Sequence, residues 1–258
     1  MLSRNSQTHE AFFASTTNEV TGKINAQFDN FYSYFSLREI NKQLSLENAK
    51  LRNSLRSDLI APDSTRKIVV DSLTKDSLNR YRKFTYLPAR VVGNTVTSQT
   101  NYLTLERGSL QGVKKGMSVI SPLGIVGVVV DVSDNYSRVM SLLHRNSKVS
   151  AMLKKDNSFG SIEWDGVDAN YLTLKNISKG AKVVKGDTIV TSTYSANFPS
   201  NIMIGTVAEF TVDPTTNFYT LKVKTATNFF AIQYVYLVEN IRYAEQVKLE
   251  SSKPKGNE

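Results

Sequence analysis

The chain has 258 residues, 40% of them hydrophobic, with only 13 Gly and 6 Pro. It is long enough for one large or two ordinary domains with buried cores, and it is not a low-complexity polymer. Cysteine is absent, which excludes a disulfide framework and thiolate metal sites, while a net charge of +9 favours an anionic neighbour such as nucleic acid, phospholipid headgroups or an acidic protein face, without choosing among them.

No apolar run approaches the roughly 18 residues of a membrane span, and the segment after Met1 lacks the apolar core of a signal peptide. Residues 1–15 are polar apart from Phe12 and Phe13 and read as a flexible lead-in. Thr16 with Glu19 makes a capping box, each side chain satisfying a backbone N–H left open at a helix start. A long helix is predicted over 16–61. Val20, Ile24, Phe28, Phe31 and Phe35 lay one apolar stripe along it, after which Leu37, Leu44 and Leu51 fall seven apart, with Asn41, Asn48 and Leu55 at the complementary positions. The change of register is a heptad stutter.

At about 1.5 Å per residue the stretch from about Thr17 to Leu59 is roughly 60–65 Å long, too long to hide its stripe against its own lobes. A coiled-coil dimer through Leu37, Leu44, Asn48, Leu51 and Leu55 follows, since Leu with a core Asn suits two parallel strands. The alternative is a stripe packed on the chain's own lobes or on an unrelated protein. Arg38, Lys42, Lys50, Arg52 and Arg56 lie outside the seam and form a solvated face, or one that meets anionic lipid.

Pro62 ends the helix, because it lacks an N–H and disfavours helical geometry in the residue before it. Residues 62–83, mixed in charge with one short apolar run, read as a connector. From Phe84 the pattern changes to short β-type runs punctuated by Gly, Asn, Ser and Asp, the mark of closed barrels or sandwiches. These runs repeat. Asn-Tyr-Leu-Thr-Leu occurs at 101 and 170, Lys-Gly ends at Gly116 and Gly186, and Gly127 answers to Gly205. The third offset exceeds the first two, placing an insertion in the second copy around 194–203. A repeat of this kind predicts two similar lobes, divided as 84–166 and 167–245 with strand exchange between them left open, followed by a disordered tail over 246–258. Gly116 and Gly186 fit turns that need positive φ, and Gly127 and Gly205 fit bulges or close backbone approach inside strands.

The inventory for catalysis is thin. Of the two histidines, His9 lies in the lead-in and His144 reads as a turn or surface residue; Asp131 and Asp134 are near it in sequence, yet no nucleophile elbow appears. No His or Cys pair sits at ligand spacing, and Gly108, Gly112 and Gly116 lie between strands rather than before a helix. No catalytic, metal or cofactor residue is therefore assigned. Nucleic-acid binding competes on charge, with Tyr194, Phe198, Phe218, Tyr219, Phe229 and Phe230 as stacking rings, but the basic residues are spread over helix, connector and tail. The inserted loop carries Tyr194, Phe198 and Ile202, which serve either as a lid on their own barrel or as a patch for a protein partner.

Several stretches together carry a family likeness. The heptad helix with Leu44, Glu47, Asn48, Leu51 and Leu55, then YLPARVVGN (86–94), LTLERGSLQGVKKGMSVISPLGIVGVVVDVSDNYSRV (103–139), NSKVSA (146–151), VVKGDTIVTS (183–192) and NFPSNIMIGTV (197–207) resemble the rod shape-determining protein MreC family. The family pattern has Gly after the Thr-Ser pair and again two residues after the Pro, where this chain has Thr193 and Asn201. The resemblance implies a mainly β protein with a long N-terminal coiled-coil helix and two six-stranded β-barrels of trypsin-like topology without the triad. It also implies a non-enzymatic periplasmic scaffold, held to the cytoplasmic membrane by an N-terminal span absent from this chain. Its implied partners are further copies of the chain, as a homodimer or a higher assembly, and the elongation penicillin-binding transpeptidase, RodA, MreD and MreB, with no nucleic acid and no cofactor. Left open beside it are an adaptor with an inactive protease-like fold that binds another envelope protein, and a nucleic-acid-binding β-barrel.

Overall fold

Leu103 and Leu105 are wholly buried while Tyr102 and Thr104, which alternate with them, are half-exposed, the alternation that a strand with one core-facing side requires. The same alternation at Leu172 and Leu174 builds the matching strand of the second lobe. A computed structural model describes residues 37–54, 59–60, 81–212 and 217–252. The lead-in, the Thr16 and Glu19 box, the stripe from Val20 to Phe35, Leu55, Arg56, Pro62 and most of the connector lie outside the described residues.

In chain order the elements are helix α1 (37–53), then strands β1 (Leu59–Ile60), β2 (Tyr81–Arg82), β3 (Phe84–Asn94), β4 (Thr100–Leu105), β5 (Ser118–Ile120), β6 (Ile125–Val132) and β7 (Ser137–His144). There follow β8 (Lys148–Leu153), β9 (Phe159–Glu163), β10 (Tyr171–Ser178), β11 (Thr188–Thr191), β12 (Met203–Val212), β13 (Phe218–Thr225), β14 (Tyr234–Asn240) and helix α2 (Tyr243–Ser251). β1 and β2 form a small antiparallel pair. The other twelve strands close into two barrels of six, ordered β14-β3-β4-β7-β6-β5 and β10-β13-β12-β11-β8-β9.

The order shows how the lobes are shared out. β14, which follows all of the second barrel in sequence, returns to pair with β3 and β5 and closes the first. β8 fills the corresponding place between β9 and β11 in the second. The expected division at 166/167 is thus corrected: barrel 1 is 84–144 with 234–240, and barrel 2 is 148–225. β8 and β9 go to barrel 2 because their backbone groups find partners on β10 and β11, a choice that short apolar runs do not encode by themselves.

The repeat extends to the irregularities. Val119 pairs with Gly127 and Ile120 with Ile125, skipping one residue; Ile189 pairs with Gly205 and Val190 with Met203, skipping one in the same place. A Cβ on Gly127 would lie 2.1 Å from the Met140 carbonyl oxygen, and one on Gly205 would lie 2.0 Å from that of Lys224, so bulge and close approach coincide at both glycines. Gly116 and Gly186 have φ of +88° and +91°, as their turns require.

Polar pins hold the connection between β13 and β14 against barrel 1. Thr227 Oγ1 donates to the Ile125 carbonyl at 3.1 Å and lies 3.0 Å from Ser121 Oγ; Asn94 Nδ2 donates to the Phe229 carbonyl at 2.7 Å. At the C-terminus, α2 occupies residues expected to be a disordered tail, and Lys253 to Glu258 lie outside the described residues. Its residues are too polar to show an apolar stripe. At its start the Tyr243 ring lies directly on Gly116.

Candidate functional site

The residues singled out from the sequence fall on two surfaces, the exposed side of α1 and the loop between β11 and β12. At 100° per residue, Leu37, Leu44 and Leu51 share one side of α1 with Ile40, roughly opposite Ala49. The three leucines are 54%, 48% and 66% exposed, and Ile40 is exposed with them. Asn48, beside this row, is exposed as well.

The last residues of the helix dock on barrel 1 by another side. Ala49 is buried, and the Asn53 amide forms two bonds to the Tyr86 backbone, accepting from its N–H at 2.9 Å and donating to its carbonyl at 3.1 Å. The Arg52 guanidinium lies 5.9 Å and 5.3 Å from the ring centres of Tyr86 and Tyr236, within cation–π range. Arg52 therefore does not belong to a solvated face, as its spacing suggested; it is half-buried. With Asn53 holding the first half of β3, where β4 does not pair, the docked side takes small and polar residues. Leu51, on the other side of this last stretch, stays exposed among the described residues.

The β11–β12 loop, residues 192–202, is built around buried hydrogen bonds. Thr191 Oγ1 donates to the Pro199 carbonyl at 2.6 Å and accepts the Ile202 N–H at 2.9 Å, and Ser192 Oγ meets Ser150 Oγ at 2.7 Å. Asn201 has φ of +65°, and Asn tolerates this left-handed region better than most side chains, so a glycine is not needed there. Two further amides tie the loop across to barrel 1, Asn197 Nδ2 donating to the Gly116 carbonyl at 2.7 Å and Asn240 Nδ2 donating to the Ala196 carbonyl at 2.8 Å.

The three aromatic and apolar candidates of this loop part company. Phe198 is 2% exposed and belongs to the core, Ile202 is half-buried, and Tyr194 is 70% exposed. Phe198 is therefore the lid and is unavailable to a partner. Tyr194 instead meets Phe159, itself exposed, edge to face at 5.2 Å. Sequence reading missed Phe159, because its adjacency to Tyr194 arises only when β8 brings β9 beside the β11 end of the barrel.

His144 is not a turn residue. It ends β7, buried, with Nε2 3.1 Å from the Tyr102 hydroxyl and Nδ1 accepting the Asn146 N–H at 3.0 Å. That acceptance places the ring proton on Nε2. Burial, helped by the charge of Arg145, lowers its pKa below the usual histidine value and favours the neutral ring. Asp131 is bound elsewhere, to Lys115 at 3.1 Å and Arg138 at 2.8 Å; hydrogen bonds from these two cations, Lys115 first, hold its carboxyl below the usual carboxylate range. Both ring nitrogens of His144 are thus engaged in holding structure. Among the described residues no group of three or more His, Cys, Asp or Glu is placed to hold a metal ion, and no helix is long and apolar enough to cross a membrane.

Comparison with known proteins agrees with this architecture. The family described as rod shape-determining protein MreC, barrel core, matches residues 91–239. A cell shape-determining protein MreC of Listeria monocytogenes is 27% identical over 233 residues, covering 89% of this chain and 77% of that protein. A solved Listeria MreC structure superposes with a TM-score of 0.57 at 26% identity, covering 81% of this chain and 92% of the other. A Helicobacter pylori structure, described as a complex between penicillin-binding protein PBP2 and MreC, superposes with a TM-score of 0.51 at 16% identity over 62% of this chain and 99% of that chain. The matched span takes in nearly all of barrel 1 and the whole of barrel 2, and on that extent the chain belongs to the rod shape-determining protein MreC family.

Proposed function

We propose that this protein is a non-enzymatic scaffold that organises peptidoglycan synthesis during cell elongation and so maintains rod shape. It works by position: α1 pairs two copies, and barrel 2 presents the Tyr194 and Phe159 surface to the elongation penicillin-binding protein. RodA, MreD and the cytoplasmic MreB complete the assembly, with this chain on the periplasmic side of the cytoplasmic membrane and an N-terminal span as its anchor. The observation that carries this proposal is the uncovered row Leu37, Ile40, Leu44 and Leu51 on a chain of this family; the Helicobacter MreC complex with PBP2 supports the choice of partner.

Sedimentation tests the pairing. Replacing Leu44 and Leu51 with Ala removes apolar contact worth about 2–5 kcal/mol per leucine buried in the seam; the variant is expected to sediment as a single chain with both barrels folded. An unchanged oligomer would remove the seam. Binding to the purified elongation penicillin-binding protein tests the second surface, with Tyr194→Ala and Phe159→Ala together expected to weaken it by more than about 2 kcal/mol, as aromatic anchors do. Equal affinity of variant and wild type would place the partner elsewhere.

A further inference from the structure

β12 outlasts one of its neighbours. Pairing with β11 ends at Thr188 and Thr206, and the last backbone bonds on that side join Gly186 and Asp187 to Val207. Pairing with β13 on the other side continues through Glu209, Phe210, Thr211 and Val212, which face Lys222, Leu221, Thr220 and Tyr219. β13 is backed in turn by β10 as far as Phe218. Residues 209–212 are thus the outer rim of a three-stranded flap, all four exposed, and no other described strand pairs with them.

Such a rim presents unpaired backbone donors and acceptors. It is also apolar on one side, where Phe210 and Val212 lie opposite Leu221 and Tyr219 and the Phe210 and Tyr219 rings meet edge to face at 5.8 Å.

Barrel 1 closes the corresponding edge. In β6 the register runs from Val129 and Val139 to Asp131 and Arg138 with one residue skipped, as in β12 it runs from Val207 and Val223 to Glu209 and Lys222. Asp131 therefore answers to Glu209, and Ser133 to Thr211. In barrel 1 the Ser109 N–H donates to the Ser133 carbonyl at 2.9 Å and the Leu110 N–H donates to the Asp134 carbonyl at 3.2 Å, while Lys115 covers Asp131. A turn occupies there the side that barrel 2 leaves open at Thr211.

We propose that the β12 edge is a self-pairing surface, at which two copies of this chain meet antiparallel about a two-fold axis centred on Thr211. The two flaps then join into one six-stranded sheet. The occupant is a second copy because the contact is self-complementary: each edge supplies the donors and acceptors the other lacks, and in that register Phe210 of each copy lies across from Val212 of the other, on the apolar side of both. A contact between identical patches closes as a pair. An edge of four residues is weak alone, but a copy already held at another point meets it at high effective concentration. The pairing extends the self-association proposed above, and it can be read separately from the helical seam.

The cysteine-free sequence allows one contact to be read at a time in the full chain. Directly opposed residues of an antiparallel pair have Cα atoms about 4.5–5.5 Å apart, inside the range a disulfide spans. Mild oxidation of Thr211→Cys is expected to convert it to a species of twice the 28.8 kDa chain mass, whereas Leu110→Cys, exposed on barrel 1, stays single. Leu44→Cys reports the helical seam separately. Thr211→Cys remaining single, whatever Leu44→Cys does, overturns the edge pairing and leaves the rim to a strand of some other protein. A doubled Thr211→Cys beside a single Leu44→Cys supports the edge while removing the seam. Hydrogen exchange gives a readout without substitution: amides in 209–212 slow with rising concentration of the wild-type chain if copies pair there, and exchange that does not change with concentration overturns the proposal.

Discussion

Barrel 1 and barrel 2 share strand order, bulges and positive-φ turns, and they differ where the chain leaves the barrel wall. Between β5 and β6 barrel 1 has the tight turn 121–124, while between β11 and β12 barrel 2 has the loop 192–202. Barrel 1 caps the end of β6 with the 108–112 turn; barrel 2 leaves β12 open. The repeated parts are those that bury strands in a closed sheet. The parts that differ reach outward, or across to the other barrel, and a surface loop tolerates such change because it disturbs no ladder.

The comparison can be broken most severely at what the barrels share. Gly127→Val and Gly205→Val place side chains against backbone carbonyls at the same bulge, and each is expected to cost more than about 4 kcal/mol, read as loss of the cooperative unfolding transition. If only one does so, the bulges are not equivalent. The longer loop is tested next. Phe198→Ala should cost about 3–5 kcal/mol in chemical denaturation, whereas Leu123→Ala, at the exposed tip of the short turn, should stay within about 0.5 kcal/mol.

Smaller effects sharpen the view of the joint. Asn197→Ala and Asn240→Ala each remove one amide bond between the loop and barrel 1, at about 1–2 kcal/mol; a double variant losing less than the sum would show that the two bonds act together. The smallest effect is one of pH, at the end of β7. The His144 pKa is lowered in the folded chain, so below the unfolded value of about 6.5 the unfolded state binds the proton more readily. Its contribution is complete above that value and is lost as pH falls toward the folded pKa. His144→Gln should therefore flatten the stability profile below about pH 6.5, and an unchanged slope would assign the dependence to carboxylates.

Much of this molecule is legible before any coordinate is known. Tyr102 to Leu105 and Tyr171 to Leu174 alternate along the chain, and alternation depends only on the strand's two-residue period. The glycines at 116 and 186 sit at positive φ, where a Cβ is costly whatever the neighbours are, whereas the cost at 127 and 205 comes from the strand alongside. Leu37, Leu44 and Leu51 announce an apolar row, since helical spacing is local, and Ile40 completes it. Legibility fails where the answer depends on which distant segment arrives. Arg52 has the spacing of a solvated residue and is stacked on two tyrosines; Phe159 becomes a surface partner of Tyr194 only through β8.

Period, turn chemistry and repetition, all short-range properties, were enough for the sequence by itself to determine two related β-modules behind an amphipathic helix. Tertiary structure alone decided that the last strand returns to close the first barrel, that Phe198 is core and Tyr194 surface, and that β12 runs past its neighbour. Those outcomes turn on which backbone groups remain unpaired once every other strand has found its place, and a buried N–H or C=O can be satisfied by any strand that reaches it. That choice is made by the whole chain at once.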